Sequence, residues 1–224
     1  YSGGTASTVT QLTPGGAYLI TALGVNNSGR VIGPGVNPSN PAVNVGYVLD
    51  TATNTAFSVG ALPGMNGALN FAVSDSGAVV GTSMLNQGAG LPFIWTDAGG
   101  MVAIPLAAGT SQGSALAVNS AGWAVGTDSS AFAVPFLYDG ATTYRLGDLI
   151  PAGSGWDLLT NTSSSAMGIS DGGVIVGTGV FNGNVHAYAM VPVPEPGTLA
   201  FGVAAAGCLA AWRRRGRCPG RACG

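Results

Sequence analysis

Phe71-Ala72-Val73-Ser74-Asp75-Ser76-Gly77-Ala78-Val79-Val80-Gly81 is one of four versions of a single pattern. The others are Ala22-Leu23-Gly24-Val25-Asn26-Asn27-Ser28-Gly29-Arg30-Val31-Ile32-Gly33, Leu116-Ala117-Val118-Asn119-Ser120-Ala121-Gly122-Trp123-Ala124-Val125-Gly126 and Met167-Gly168-Ile169-Ser170-Asp171-Gly172-Gly173-Val174-Ile175-Val176-Gly177. Each is an apolar stretch, a turn of Asn, Ser or Asp, a glycine, three mostly apolar residues and a second glycine. The first glycines, Gly29, Gly77, Gly122 and Gly173, lie 48, 45 and 51 residues apart. In such a turn Asn, Asp and Ser bond back to their own backbone, and the glycine takes the positive φ that closes a hairpin. The second glycine, four after the first, marks a bulge or a close approach of two backbones.

Working outward, each hairpin is followed by an aromatic strand: Gly46 to Asp50, Pro92 to Trp95, Pro135 to Tyr138 and His186 to Met190. Before each hairpin lies another short β-like piece: Thr8 to Leu12, Thr55 to Val59, Met101 to Ile104 and Thr143 to Leu146. Assigned to the unit that follows it, each piece brings the count to about four strands per unit. Units of 40–50 residues with four strands are the signature of propeller blades. The reading is therefore all-β, with a small β-propeller-like body of about four four-stranded units over residues 1–191. An open solenoid, or a fragment of a larger propeller, is the alternative.

Composition excludes several function classes. Only 7% of the 224 residues are charged and none is Lys, against about 25% charged in an ordinary globular chain. Up to residue 197 there are two arginines, Arg30 and Arg145, and all nine acids. An acidic body without clustered cations is a poor nucleic-acid binder. One histidine, His186, leaves little room for His-based catalysis or metal binding. The three cysteines, Cys208, Cys218 and Cys223, all lie in the last seventeen residues. A cysteine-free body suits an exported protein that does not depend on disulfides. The chain begins at Tyr1 with no visible signal peptide, as a processed chain or a fragment would.

The repeat pattern, apolar-Asn-x-x-Gly-x-Val-Val-Gly followed by a His-Ala-aromatic strand, resembles the extracellular repeats of the HAF family over about residues 8–191. His186-Ala187-Tyr188 keeps the His-Ala pair. The other copies have Val45-Gly46, Leu91-Pro92 and Val134-Pro135 before the aromatic. The resemblance implies export and no particular activity.

Residues 192–224 read differently. Pro194-Glu195-Pro196 leads into an apolar run, Thr198 to Trp212, followed at once by Arg213-Arg214-Arg215. The run is shorter than the roughly 20 residues of a straight membrane-spanning helix. A core helix is the alternative reading. Against it, the prolines block continuation of helix or sheet, and the basic cluster stands where positive-inside anchoring puts it. Thinning of the bilayer and snorkelling of Arg accommodate a short span. The arrangement resembles the PEP-CTERM sorting signal: Pro194, Glu195 and Pro196 as the motif, a hydrophobic helix over 198–212, and Arg213, Arg214 and Arg215 setting topology. The chain departs from such signals in the nine residues, Gly216 to Gly224, that follow the basic cluster. The resemblance implies recognition by an exosortase, a membrane-embedded protease and transpeptidase, in Gram-negative bacteria that make exopolysaccharide. The chain would pass through an inner-membrane intermediate to the cell surface or extracellular matrix.

No catalytic residue, metal or cofactor is assigned. His186, alone in a repeat strand, reads as structural and not as a base. Asp75 and Asp171 stand two before the turn glycine, where an Asx turn wants Asp, and Asn27 and Ser120 hold that place elsewhere. A calcium role for them lacks the ligand spacing of an EF-hand. The acids are spread too thinly to suggest a glycosidase pair. Ala205-Ala206-Gly207-Cys208 looks like a lipobox but lies at the wrong end of the chain. Cys218 and Cys223 lack two further zinc ligands. The expectation is a non-enzymatic surface or biofilm-matrix protein, with exopolysaccharide as a candidate contact and the C-terminal helix as its membrane contact. The alternatives are a secreted propeller enzyme acting on polysaccharide, with two or three carboxylates converging at one end, and a permanently anchored adhesion or ligand-binding module.

Overall fold

The computed structural model describes residues 19–37 and 39–193. The chain divides after Met190. Among the described residues before that point, sixteen strands form four antiparallel sheets of four strands each. Sheet 1 runs β1 (Gly24–Val25), β2 (Arg30–Val36), β3 (Asn44–Asp50) and β4 (Thr55–Ser58) in spatial order. Sheet 2 repeats this with β5 (Gly67–Val73), β6 (Val79–Met84), β7 (Gly90–Thr96) and β8 (Gly100–Ala103). Sheet 3 does so with β9 (Gln112–Val118), β10 (Ala124–Ser129), β11 (Ala133–Tyr138) and β12 (Thr143–Arg145). A single 3₁₀ turn, Leu146–Leu149, follows. Sheet 4 contains β13 (Trp156–Asp157), β14 (Ser165–Ile169), β15 (Ile175–Phe181) and β16 (Asn184–Met190).

The repeated hairpin joins the first two strands of sheets 1–3, and β14 to β15 in sheet 4. Its first turn residue accepts a backbone bond from the glycine three later: Gly29 to Asn26, Gly77 to Ser74, Gly122 to Asn119 and Gly173 to Ser170, at 2.9–3.1 Å. All four glycines have φ between +80° and +87°, the left-handed value that a type I turn with a following bulge requires. At Gly122 an added Cβ meets nothing within 4 Å. Gly122→Ala is therefore expected to lose only the backbone preference, about 1 kcal/mol. Urea denaturation of the variant measures this.

The second glycine does a different job. Gly33, Gly81, Gly126 and Gly177 lie opposite Tyr47, Phe93, Phe136 and Tyr188 on the neighbouring strand. A Cβ built on any of the four would overlap a carbonyl oxygen, that of Thr21 just before β1 or that of Leu69, Ser114 or Ser165 on the first strand of the hairpin. In sheets 2–4 the first strand carries one extra residue at this level, namely Phe71, Leu116 and Met167. The bulge and the missing side chain bring the backbones together and leave room for the aromatic ring.

The four aromatics are 0–8% exposed. Full burial of one such ring stabilises the fold by roughly 2–3 kcal/mol. Phe93 packs with Ile32, Val48 and Val79 between sheets 1 and 2. Phe136 packs with Val80 and Ala115 between sheets 2 and 3. Tyr188 packs with Val125, Leu146 and Ile175 between sheets 3 and 4. Each sheet thus covers a face that its neighbour cannot bury alone.

Two features differ from the sequence reading. The pieces at Thr55–Ser58, Gly100–Ala103 and Thr143–Arg145 are the fourth strands of the preceding sheets, paired with β3, β7 and β11. They do not open the units that follow. The cause is loop length: three or four residues separate them from the strand before, and eight lie between β4 and β5 or β8 and β9. A link that short makes antiparallel neighbours. The matching piece at Thr8 to Leu12 lies outside the described residues.

Sheet 4 also departs from the pattern. β13 pairs Trp156 with Phe181 and Asp157 with Val180, further along β15 on the side that β14 occupies. No described residue supplies a fourth strand beyond β16. Among the described residues no apolar core joins sheet 4 to sheet 1. Ile32, Val80 and Val125 are fully buried, yet Val176 at the same repeat position is 45% exposed.

Candidate functional site

The hairpin turns gather at one end of neighbouring sheets and are tied in pairs, the first to the second and the third to the fourth. The Asn26 side chain donates from Nδ2 to the Ser74 carbonyl at 2.9 Å, 48 residues away. Asn119 donates from Nδ2 to the Ser170 carbonyl at 3.2 Å. Their Oδ1 atoms close their own turns by accepting from the Arg30 and Trp123 backbone N–H. Serine at this position, Ser74 or Ser170, closes its turn through Oγ to Ala78 or Val174. It carries no second group to reach onward.

The turn-closing role therefore falls on Asn26, Ser74, Asn119 and Ser170, one residue before the place where the sequence reading put it. Asp75 and Asp171 point to the neighbouring turn instead. Asp75 accepts from the Asn27 backbone N–H at 2.9 Å and from its Nδ2 at 2.6 Å. Asp171 accepts from the Ser120 backbone N–H at 2.8 Å. These bonds hold the Asp171 carboxyl below the usual carboxylate range. The reason is positional: the second turn residue is exposed at the hairpin tip, within reach of the next tip. The alternation Asn, Ser, Asn, Ser along the chain was the available signal, since only the Asn turns can bond onward.

Turns 2, 3 and 4 line an open cleft of about 280 Å³, with Ser74, Asp75, Asn119, Ser120, Ser170 and Asp171 as its polar wall. Asp75 and Asp171 thus share one cleft, as a polysaccharide-active site would need. Both already accept bonds from a neighbouring turn. A carboxylic acid catalyst needs a raised pKa, and that of Asp171 is lowered.

Asp128 on β10 is a buried acid that the repeat pattern did not single out. It is fully buried and accepts from the Ala107 N–H through Oδ2 at 2.6 Å. Its Oδ1 lies against Gly113 and has no hydrogen-bond partner among the described residues. Burial pushes its carboxyl up to about 6. Ser83 holds the same position in sheet 2, accepting from the Leu62 N–H and donating to the Gly67 carbonyl. Asp128 therefore fills the place that the Ser83 hydroxyl fills in sheet 2.

His186, on β16, is exposed and stands edge-on to Phe181 at 6.1 Å between ring centres. Among the described residues no three His, Cys, Asp or Glu side chains come together as a metal site. Both arginines of the described body are paired, Arg30 with Asp97 at 2.6 Å and Arg145 with Asp148 at 2.7 Å.

After Met190 the backbone leaves the sheet, and Val191 and Val193 are 67% and 84% exposed. Pro194, Glu195, Pro196, the apolar run 198–212 and Arg213, Arg214 and Arg215 lie outside the described residues. Among the described residues no helix is long and apolar enough to cross a membrane. The segment that follows the body is decided by comparison with family models. Residues 192–215 match the PEP-CTERM protein-sorting motif. This motif implies exosortase-dependent sorting of an exported protein, which passes through the membrane to the cell surface. The PEP-CTERM match begins two residues beyond the last strand, so the folded body ends where the sorting segment starts. The HAF resemblance of the body finds no support in these comparisons. No curated protein matches the chain.

Proposed function

We propose that the chain is a non-enzymatic exported protein whose repeat body, propeller-like in its sheet order, is the part displayed at the surface or in an exopolysaccharide matrix. The PEP-CTERM match directly after the last strand carries this reading. The exosortase is then the processing partner, and the membrane contact is transient. The Arg cluster stays on the cytoplasmic side. The apolar run holds the chain in the bilayer. Pro194-Glu195-Pro196 is then the stretch at which the exosortase acts.

The body supports a display role in two ways. Its cations are engaged in ion pairs, and its turn carboxylates are bonded between neighbouring turns. What it offers at the turn cleft is a row of Ser and Asn groups beside two carboxylates. Such a row suits contact with neutral hydroxylated chains or simple solvation.

The test is the C-terminal peptide of the native protein in membrane and extracellular fractions, read by mass spectrometry. Processing gives an extracellular C-terminus near Pro194–Gly197. A C-terminus beyond Arg215, found in the membrane fraction alone, would overturn the reading in favour of a permanent anchor.

A further inference from the structure

A second open groove, of about 230 Å³, lies between sheets 2 and 3 at the end opposite the hairpin turns. Its lining consists wholly of described residues, drawn from β6, the link to β7, β9 and β10. None of the lining side chains is charged. The turn cleft differs, because it carries two carboxylates that are bonded to neighbouring turns. The groove presents neutral groups. Thr127 Oγ1 is buried and has no hydrogen-bond partner among the described residues. A buried hydroxyl of this kind carries a desolvation cost that a bound polar group removes. Gln112 Nε2 donates to Ser129 Oγ at 3.1 Å, which leaves the second amide hydrogen and the amide oxygen to other partners. Ser114 stands half-buried on the same strand as Gln112. Thr82 Oγ1 donates to the Gly113 carbonyl at 3.0 Å and ties the two sheets together here.

The lip of the groove is fixed in place. The Gly88 N–H donates to the Leu85 carbonyl at 2.9 Å, closing a turn through Asn86 and Gln87. These two residues have φ of +51° and +60°, the left-handed region in which the second position of such a turn favours glycine. A residue other than glycine stays there when its surroundings hold it. The Asn86 N–H donates to Asn66 Oδ1 and its Oδ1 accepts from Asn66 Nδ2, both at 2.8 Å. Gln87 Nε2 donates to the Ala42 carbonyl at 2.6 Å. At Gly90 an added Cβ would overlap Thr82 Oγ1, so only backbone fits at this point of the groove. The groove is therefore preformed, and a ligand meets little ordering cost on entering it.

We propose that this groove is a binding site for a neutral, hydroxyl-rich saccharide, held by one unit of a longer chain; this rests on the reading of the body as the displayed part of the protein. A sugar hydroxyl both donates and accepts, so one hydroxyl can partner Thr127 Oγ1 and another the Gln112 amide. An acidic saccharide finds no cation here, since Arg30 and Arg145 are paired with Asp97 and Asp148. A cationic one finds no carboxylate, since Asp128 stands against Gly113 but does not line the groove. The volume is below the roughly 300–1,000 Å³ of a site for a drug-sized ligand, which restricts the contact to a single ring.

Titration of the isotope-labelled full chain, in detergent micelles, with oligosaccharides tests this by NMR. The probes are neutral hexasaccharides of glucose, galactose and mannose, with hexagalacturonate and hexaglucosamine as charged comparators. At least one neutral probe is expected to shift the amides of Gly88, Ser114 and Thr127 and to bind roughly ten-fold tighter than either charged one. Thr127→Val keeps the shape of the side chain and removes only its hydroxyl. It is expected to weaken that probe about ten-fold while the protein melts at or above the parent temperature, since the lost hydroxyl had no partner. Ser114→Leu narrows the groove and should abolish the binding with the rest of the spectrum unchanged. The proposal is overturned if no neutral probe binds, if a charged probe binds more tightly, if the shifts fall at Ser120 and Asp171 in the turn cleft, or if Thr127→Val binds as the parent does. None of these outcomes touches C-terminal processing, so a failed groove and a failed display reading are told apart.

Discussion

Gly126→Ala is expected to remove much of the stability of the fold, although it adds one methyl group. The Cβ would overlap the Ser114 carbonyl oxygen and crowd the Ala115 backbone. These are atoms of β9, held by the ladder on one side and by the core between sheets 2 and 3 on the other. Neither can retreat as a flexible side chain would. To admit the methyl, β9 and β10 must separate at the level where Phe136 is fully buried. Overpacking of this kind costs on the order of 4 kcal/mol. That is much of the 5–15 kcal/mol that stabilises a domain. In a protein of this size it lowers the melting temperature by roughly 8–16 °C. The comparison with Gly122→Ala is the control. The two glycines are four residues apart in one hairpin, and only Gly126 is pressed against backbone. Thermal melts followed by circular dichroism compare them, and equal shifts would show that backbone contact is not what demands glycine at position 126.

Asp128→Asn is expected to stabilise the protein at neutral pH and to flatten its stability between about pH 4 and pH 6. The carboxyl titrates near 6 when folded, from an ordinary value of 3.8. Its folded-state affinity for the proton is raised, so its contribution is full below 3.8 and is lost as pH climbs through 6. By linkage the two-unit shift corresponds to about 3 kcal/mol between the two ends of that window. Asparagine keeps an acceptor for the Ala107 N–H and carries no charge to bury. Its advantage over Asp128 should be near zero at pH 4 and reach about 3 kcal/mol by pH 7.5. Asp139, Asp157 and Asp171 are shifted the other way, so the overall pH profile mixes opposite slopes. The difference between variant and parent isolates position 128. Denaturant titrations at pH 4 and pH 7.5 measure it, and a difference that does not change with pH would rule out a buried, proton-binding Asp128.

The turn pattern was legible because a hairpin is local. Four residues and a glycine specify it, and the same four positions recur. The aromatic strand was legible for the same reason, since a single short connection places it beside the second glycine. The piece at Thr55–Ser58 was assigned to the wrong sheet because strand propensity does not say which neighbour a strand joins. The length of the links on either side decides that, through the geometry of a short antiparallel connection. Asp128 is not distinguished by the sequence, because spacing does not show burial. The carboxyl is unusual only because the link before β9 and the backbone at Gly113 close over it.

The sorting segment depends least on folding. Pro194-Glu195-Pro196, an apolar run and three arginines are read by linear order, charge and hydropathy, and these properties need no tertiary contacts. The repeat, its period and its glycines are likewise properties of the chain, because each turn satisfies its own backbone. Tertiary structure decided everything that joins one repeat to the next. It directed the Asn26 and Asn119 amides to carbonyls 48 and 51 residues away. It turned Asp75 and Asp171 from turn formers into ties between turns. Packing between sheets depends on which faces meet, and residues that meet across a core are separated in sequence by a whole repeat.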